Sequence, residues 1–101
     1  LLIDSELIPV NFALHQNYPN PFNPVTTLRY DLPEKSFVGI TIYDILGNKV
    51  KNLVSSNQSP GFNSVLWNST NNQGETVSAG VYIYIIEAGD FRQTKKMILL
   101  K

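Results

Sequence analysis

The sequence predicts an all-β fold, an immunoglobulin-like antiparallel β-sandwich of about seven strands. Helix-type periodicity is absent, and the apolar residues fall instead in short alternating, β-branched or aromatic runs. Gly, Pro and Asn break these runs at intervals of roughly eight to twelve residues, the turn spacing of a sandwich or barrel. With 101 residues, 43% of them hydrophobic, the chain can build one domain around one modest core.

The elements follow in order. Residues 1–11 read as a linker from a preceding cargo domain, since "LLIDSELIPV" has neither an initiator Met nor the basic start of a signal peptide. The domain proper is then expected over 12–101, as a piece of something longer. "FALHQ" (12–16) is a short first strand. "VTTLRYDL" (25–32) places Thr26, Leu28, Tyr30 and Leu32 on one face and Val25, Thr27, Arg29 and Asp31 on the other. "FVGITIYD" (37–44) points Val38, Ile40 and Ile42 inward. A tight turn at Gly47-Asn48 leads to a short strand ending in "KNLV" (51–54), and "SSNQSPG" (55–61) reads as a polar loop. "FNSVLWN" (62–68) faces Val65 and Trp67 inward, and "STNNQGE" (69–75) is a second polar loop. "VYIYIIEA" (81–88) is the strongest β segment, and "GD" turns it into "FRQTKKMILL" (91–100). Tyr43, Ile83 and Ile85 are expected to leave an apolar stripe on the outer face.

One stretch stands out. "NYPNPFNP" (17–24) packs three prolines and three asparagines around two aromatics. Each residue before a proline is pushed toward extended geometry, so the octet reads as a stiff crossing from the first strand to the second. Tyr18 and Phe22 would cap the open end of the sandwich without ladder hydrogen bonds. A proline-rich docking patch for a partner is the alternative reading.

Chemistry is sparse. Eight basic residues balance eight acidic ones, which excludes the electrostatic footprint of a nucleic-acid binder. No apolar run approaches the ~20 residues of a membrane-spanning helix. There is no cysteine, hence no disulfide and no thiolate metal site. His15 is the single histidine, and no G-x-S-x-G elbow accompanies it. The acids are scattered, so no metal is expected. "TNNQGE" (70–75) is the segment with carbonyl-rich, calcium-like character, but it lacks the alternating aspartates of a dedicated loop. Phosphate-loop and dinucleotide fingerprints are absent, so no cofactor is expected. Asn57 and Asn68 head glycosylation-type tripeptides of a kind that Asn- and Ser-rich loops produce readily. Tyr30, Trp67, Tyr82 and Tyr84 suggest a sugar-stacking platform, yet alternation turns them toward the core. "TKKMILLK" closes the chain with an apolar strand and three lysines, read either as a lysine-protected edge or as a terminal recognition signal.

Five ordered blocks carry a resemblance: "NYPNPFNPVTTLRYDLP", "VGITIYDILGNKVKNLV", "GFNSVLWN", "GETVSAGVYIYIIEAG" and "TKKMILLK". Together they resemble the type A C-terminal sorting domain of the type IX secretion system, a pattern that shades into the immunoglobulin-like domain of flagellar hook-capping proteins. The likeness covers roughly residues 12 to 101. It implies a non-catalytic domain at the end of an exported protein of Bacteroidota-like bacteria. Its partners would be an N-terminal cargo domain, the type IX translocon and a surface sortase-like peptidase that often removes it. Its location would be the periplasm in transit, then the cell surface or the medium. No nucleic acid is expected as partner, and the sequence predicts no particular oligomeric state. The resemblance assigns the signal to Gly80, Tyr82, Gly89, Lys95, Lys96, Met97, Leu99 and Lys101. The opening motif falls on Tyr18, Pro19, Asn20, Pro21, Phe22, Asn23 and Pro24. Ile85 departs from the family pattern, in which an outward basic residue is frequent there.

Two other classes compete with a secretion signal. A structural or adhesive immunoglobulin-like module, such as a carbohydrate-binding appendage of an extracellular protein, would keep its binding after removal of "TKKMILLK". An enzyme would lose turnover in His15→Ala.

Overall fold

The computed structural model describes residues 8–100. Residues 1–7 of the expected linker and Lys101 therefore lie outside the described residues. Seven strands run in chain order: β1 (Ala13–Leu14), β2 (Thr26–Leu32), β3 (Ser36–Asp44), β4 (Lys49–Gln58), β5 (Gly61–Trp67), β6 (Gly80–Ala88) and β7 (Phe91–Leu99). They form two sheets, ordered β1-β2-β5 and β4-β3-β6-β7, and every pairing between named strands is antiparallel. The expected sandwich is present, with β4 placed beside β3 in the sheet that ends in β7.

Alternation explains the core. Thr26, Leu28, Tyr30 and Leu32 of β2, Val38, Ile40 and Ile42 of β3, and Tyr82, Tyr84, Ile86 and Ala88 of β6 are all buried. Met97 and Leu99 complete the inner face of β7. Trp67 lies between the sheets, its ring centroid 5.8 Å from that of Phe22 and 5.4 Å, edge-on, from that of Tyr82. Its indole N–H donates to the Thr70 carbonyl at 2.9 Å, so full burial leaves no orphan donor.

Two turns are set by glycine. Gly47 takes φ +88° in the β3–β4 hairpin. There the Asp44 carboxylate accepts from the N–H groups of Leu46 and Asn48, each at 2.9 Å. These bonds, the Asn48 N–H foremost, hold the Asp44 carboxyl below its ordinary range. Gly89, at φ +59°, opens the two-residue Gly89-Asp90 loop between the paired Ala88 and Phe91, the position a II′ hairpin reserves for glycine.

Four expectations are corrected. β4 does not stop at Val54 but runs to Gln58, because Asn57, Ser56 and Ser55 pair with Phe37, Val38 and Gly39. Polar side chains suit this strand, which lies at a sheet edge and is solvated. β1 is confined to Ala13–Leu14 within the expected 12–16. Tyr18 does not cap the sandwich: it is 74% exposed, whereas Phe22 is 2% exposed. Finally, Ile83 and Ile85 are half-buried and form only a partial stripe.

Candidate functional site: where the octet meets the last strand

The octet does make ladder-type bonds, contrary to expectation. Proline removes only its own donor, and the residues between the prolines keep theirs. The Tyr18 N–H donates to the Thr27 carbonyl at 3.0 Å, and the Thr27 N–H returns a bond to the Tyr18 carbonyl at 2.9 Å. The three Xaa–Pro peptide bonds of the octet are cis.

Farther along, the octet reaches β7. The Phe22 N–H donates to the Ile98 carbonyl at 3.0 Å, and the Leu100 N–H donates to the Phe22 carbonyl at 2.8 Å. The Ile98 N–H in turn donates to Asn20 Oδ1 at 3.0 Å, and Gln16 Nε2 donates to the Lys96 carbonyl at 2.7 Å. The Phe22 ring is buried beside Trp67. Two segments 75 or more residues apart in the sequence thus form one clasp on the edge of the second sheet.

A buried polar network fixes the octet from below. The Asn17 N–H donates to the Tyr84 hydroxyl at 2.8 Å, and that hydroxyl donates to the His15 carbonyl at 2.9 Å. Asn17 Nδ2 donates to Thr26 Oγ1 at 3.0 Å and to the Pro19 carbonyl at 3.2 Å. Thr26 Oγ1 donates to the same carbonyl at 2.8 Å. Asn17 and Thr26 are buried, and these bonds satisfy them. The sequence places Thr26 only on the face shared with Leu28, Tyr30 and Leu32, and it does not single out Asn17. Asn17 stands at the head of the octet, but nothing in the spacing separates a buried asparagine from the two that follow it.

Burial pushes the Tyr84 phenol up to about 12, outweighing the opposing effect of the Asn17 N–H. Burial raises the Tyr30 and Tyr82 phenols as well. Above the ordinary tyrosine pKa of 10.0 the unfolded chain ionises while folded Tyr84 stays neutral, so the unfolded state binds fewer protons. Stability therefore falls as pH rises from about 10 to about 12, by on the order of 2–3 kcal/mol for Tyr84. Melting temperature followed by circular dichroism should be level up to pH ~10 and drop beyond it. A level profile throughout would contradict the buried phenol.

The signal positions assigned by resemblance separate into groups. Gly80, at φ +150°, begins β6 and delivers Tyr82 into the core, where its hydroxyl donates to the Ser78 carbonyl at 2.6 Å. Gly89 lies at the opposite end of the hairpin. Met97 and Leu99 are buried, Lys95 is half-buried on their side of the strand, and Lys96 is exposed on the other. Of this set, Leu99 meets the octet directly, by bridging to Phe22, and Lys96 is held by Gln16, the residue just before the octet.

The remaining candidates lie elsewhere. His15 Nε2 sits 2.9 Å from Asp31 Oδ2 on the outer side of the first sheet, and no serine hydroxyl hydrogen-bonds to His15 among the described residues. Oxygens of the 70–75 loop are taken by protein donors inside and outside it: Asn71 Oδ1 accepts from the N–H groups of Gln73 and Glu75, Glu75 Oε1 accepts from Asn71, and Asn72 Oδ1 accepts from the Asn52 N–H of β4. Among the described residues no three His, Asp or Glu cluster as metal ligands. Tyr30, Trp67, Tyr82 and Tyr84 are core residues, with no stacking face open to a sugar.

Residues 16–100 match the sequence model of the secretion system C-terminal sorting domain. None of the curated proteins matches the chain significantly. Three solved structures share its fold. Dimeric latent PorU from Porphyromonas gingivalis is 21% identical with a TM-score of 0.69, covering 86% of this chain and 9% of its own. PorZ, an essential surface component of the type IX secretion system of the same bacterium, is 19% identical with a TM-score of 0.63, covering 88% and 12%. FLGD from P. aeruginosa is 17% identical with a TM-score of 0.59, covering 91% and 73%. The chain thus spans about a tenth of the length of PorU and of PorZ.

Proposed function

The chain belongs to the family of secretion system C-terminal sorting domains, and on that premise we propose that it is the non-catalytic address by which the type IX route exports an attached cargo. The sorting domain comprises residues 12–101, preceded by linker, and any catalysis of the full-length protein belongs to the cargo. The translocon engages the domain in the periplasm, and a sortase-like peptidase acts on it at the surface before the cargo stays there or is released. One observation carries this reading. The family match extends from Gln16 to Leu100, and its two ends are joined to each other by the clasp. A sorting label needs a recognisable terminal element held in a defined conformation, and the octet holds β7 in this way. In this reading Lys95, Lys96 and Lys101 are the basic elements offered to the receptor, while Gly80, Tyr82, Gly89, Met97 and Leu99 shape the hairpin that presents them.

A periplasmic fluorescent reporter fused to residues 12–101, in a host with type IX machinery, tests the proposal. It is compared with the same fusion stopping at Gln93. Fluorescence outside the cell is expected with the complete domain only. Retention of both, with the complete fusion shown to be folded, would favour the adhesive module instead.

A further inference from the structure

The clasp covers only part of the β7 edge. In an antiparallel strand, residues two apart direct their N–H and C=O groups to the same side. Both backbone groups of Ile98 point away from β6, toward Asn20 and Phe22, so those of Lys96 and Thr94 point that way too. Gln16 takes the Lys96 carbonyl. The Lys96 N–H and both Thr94 groups have no protein partner among the described residues. Beside them runs an open groove of about 400 Å³, lined by Gln16, Asn20, Val81, Thr94, Lys95, Lys96 and Ile98. The charges lining it are both positive. Neither lysine is in an ion pair, the pairs among the described residues being His15–Asp31 and Arg92–Glu87.

Resting on the sorting-signal reading, we propose that the Thr94–Lys96 edge is a strand-addition site for an extended, acidic segment of a partner protein. Adjacent residues of an added strand point to opposite faces, as Lys95 and Lys96 do. Two consecutive carboxylates would therefore meet one lysine on each face. Asn20 and Gln16 are placeholders: each occupies with a side-chain amide a backbone group that a neighbouring strand would otherwise bond. They bound the site, keep it short and compete with the incoming strand.

The test uses the 101-residue chain, nitrogen-15 labelled, with the synthetic peptide acetyl-Thr-Val-Glu-Glu-Val-Thr-amide and its Lys-Lys counterpart. The acidic peptide should slow hydrogen exchange of the Thr94 and Lys96 amides, and the basic one should not. Gln16→Ala and Asn20→Ala should each tighten binding by about fivefold, the equivalent of one competing hydrogen bond. Gln16 is the safer variant, because the Asn20 bond belongs to the clasp itself. No protection by the acidic peptide, or equal protection by both, overturns the proposal. The reporter truncation above is read independently. Truncation-sensitive export without peptide binding removes this edge and leaves the sorting function standing.

Discussion

Trp67→Ala should destabilise the domain by about 3–5 kcal/mol, the ordinary range for deleting a large buried aromatic. Three features place it there. The side chain is fully buried at the end of β5, it fills the space between the sheets against Phe22 and Tyr82, and its N–H is bonded to the Thr70 carbonyl. Truncation leaves a cavity and an unpaired Thr70 carbonyl together. Native domains have only about 5–15 kcal/mol of stability in total, so the variant should lose much of it. Leu66→Ala is the matched control, since the neighbouring residue points to solvent and should change stability by no more than about 0.5 kcal/mol. Urea titrations of the two variants decide the matter. A small shift for Trp67→Ala would mean the indole does not fill the core.

The inner faces of β2, β3 and β6 were legible because each alternates cleanly and each is buried on one side, so period two and burial report the same residues. The far half of β4 was not. Ser55 to Gln58 carry no apolar pattern, and what makes them a strand is their register against Ser36 to Gly39. That is information held by the partner strand rather than by the segment. The octet was legible as a rigid crossing, but its proline content hid its pairing. The donors of Tyr18 and Phe22 survive between the prolines, and where they are spent depends on the position of β7. The site was thus legible as two separate motifs, and only the fold shows them to be one.

The two aromatics of the octet should therefore behave oppositely. Phe22→Ala is expected to cost about 3–5 kcal/mol, because the ring is buried beside Trp67 and anchors the backbone that bonds Ile98 and Leu100. Tyr18→Ala should cost no more than about 0.5 kcal/mol, since its ring is solvated and its bonds to Thr27 use backbone atoms that alanine retains. Hydrogen exchange adds a readout that a generic core defect would not mimic. In Phe22→Ala the Ile98 and Leu100 amides should lose protection before the central β3 and β6 amides do, because the clasp is the contact that holds them. If the β7 terminus is the receptor's handle, the same variant should alter export of a folded reporter, whereas Tyr18→Ala should leave it unchanged. Equal stability losses for the two variants would refute the separation of roles within the octet. Uniform loss of protection across both sheets would refute the clasp as a distinct unit.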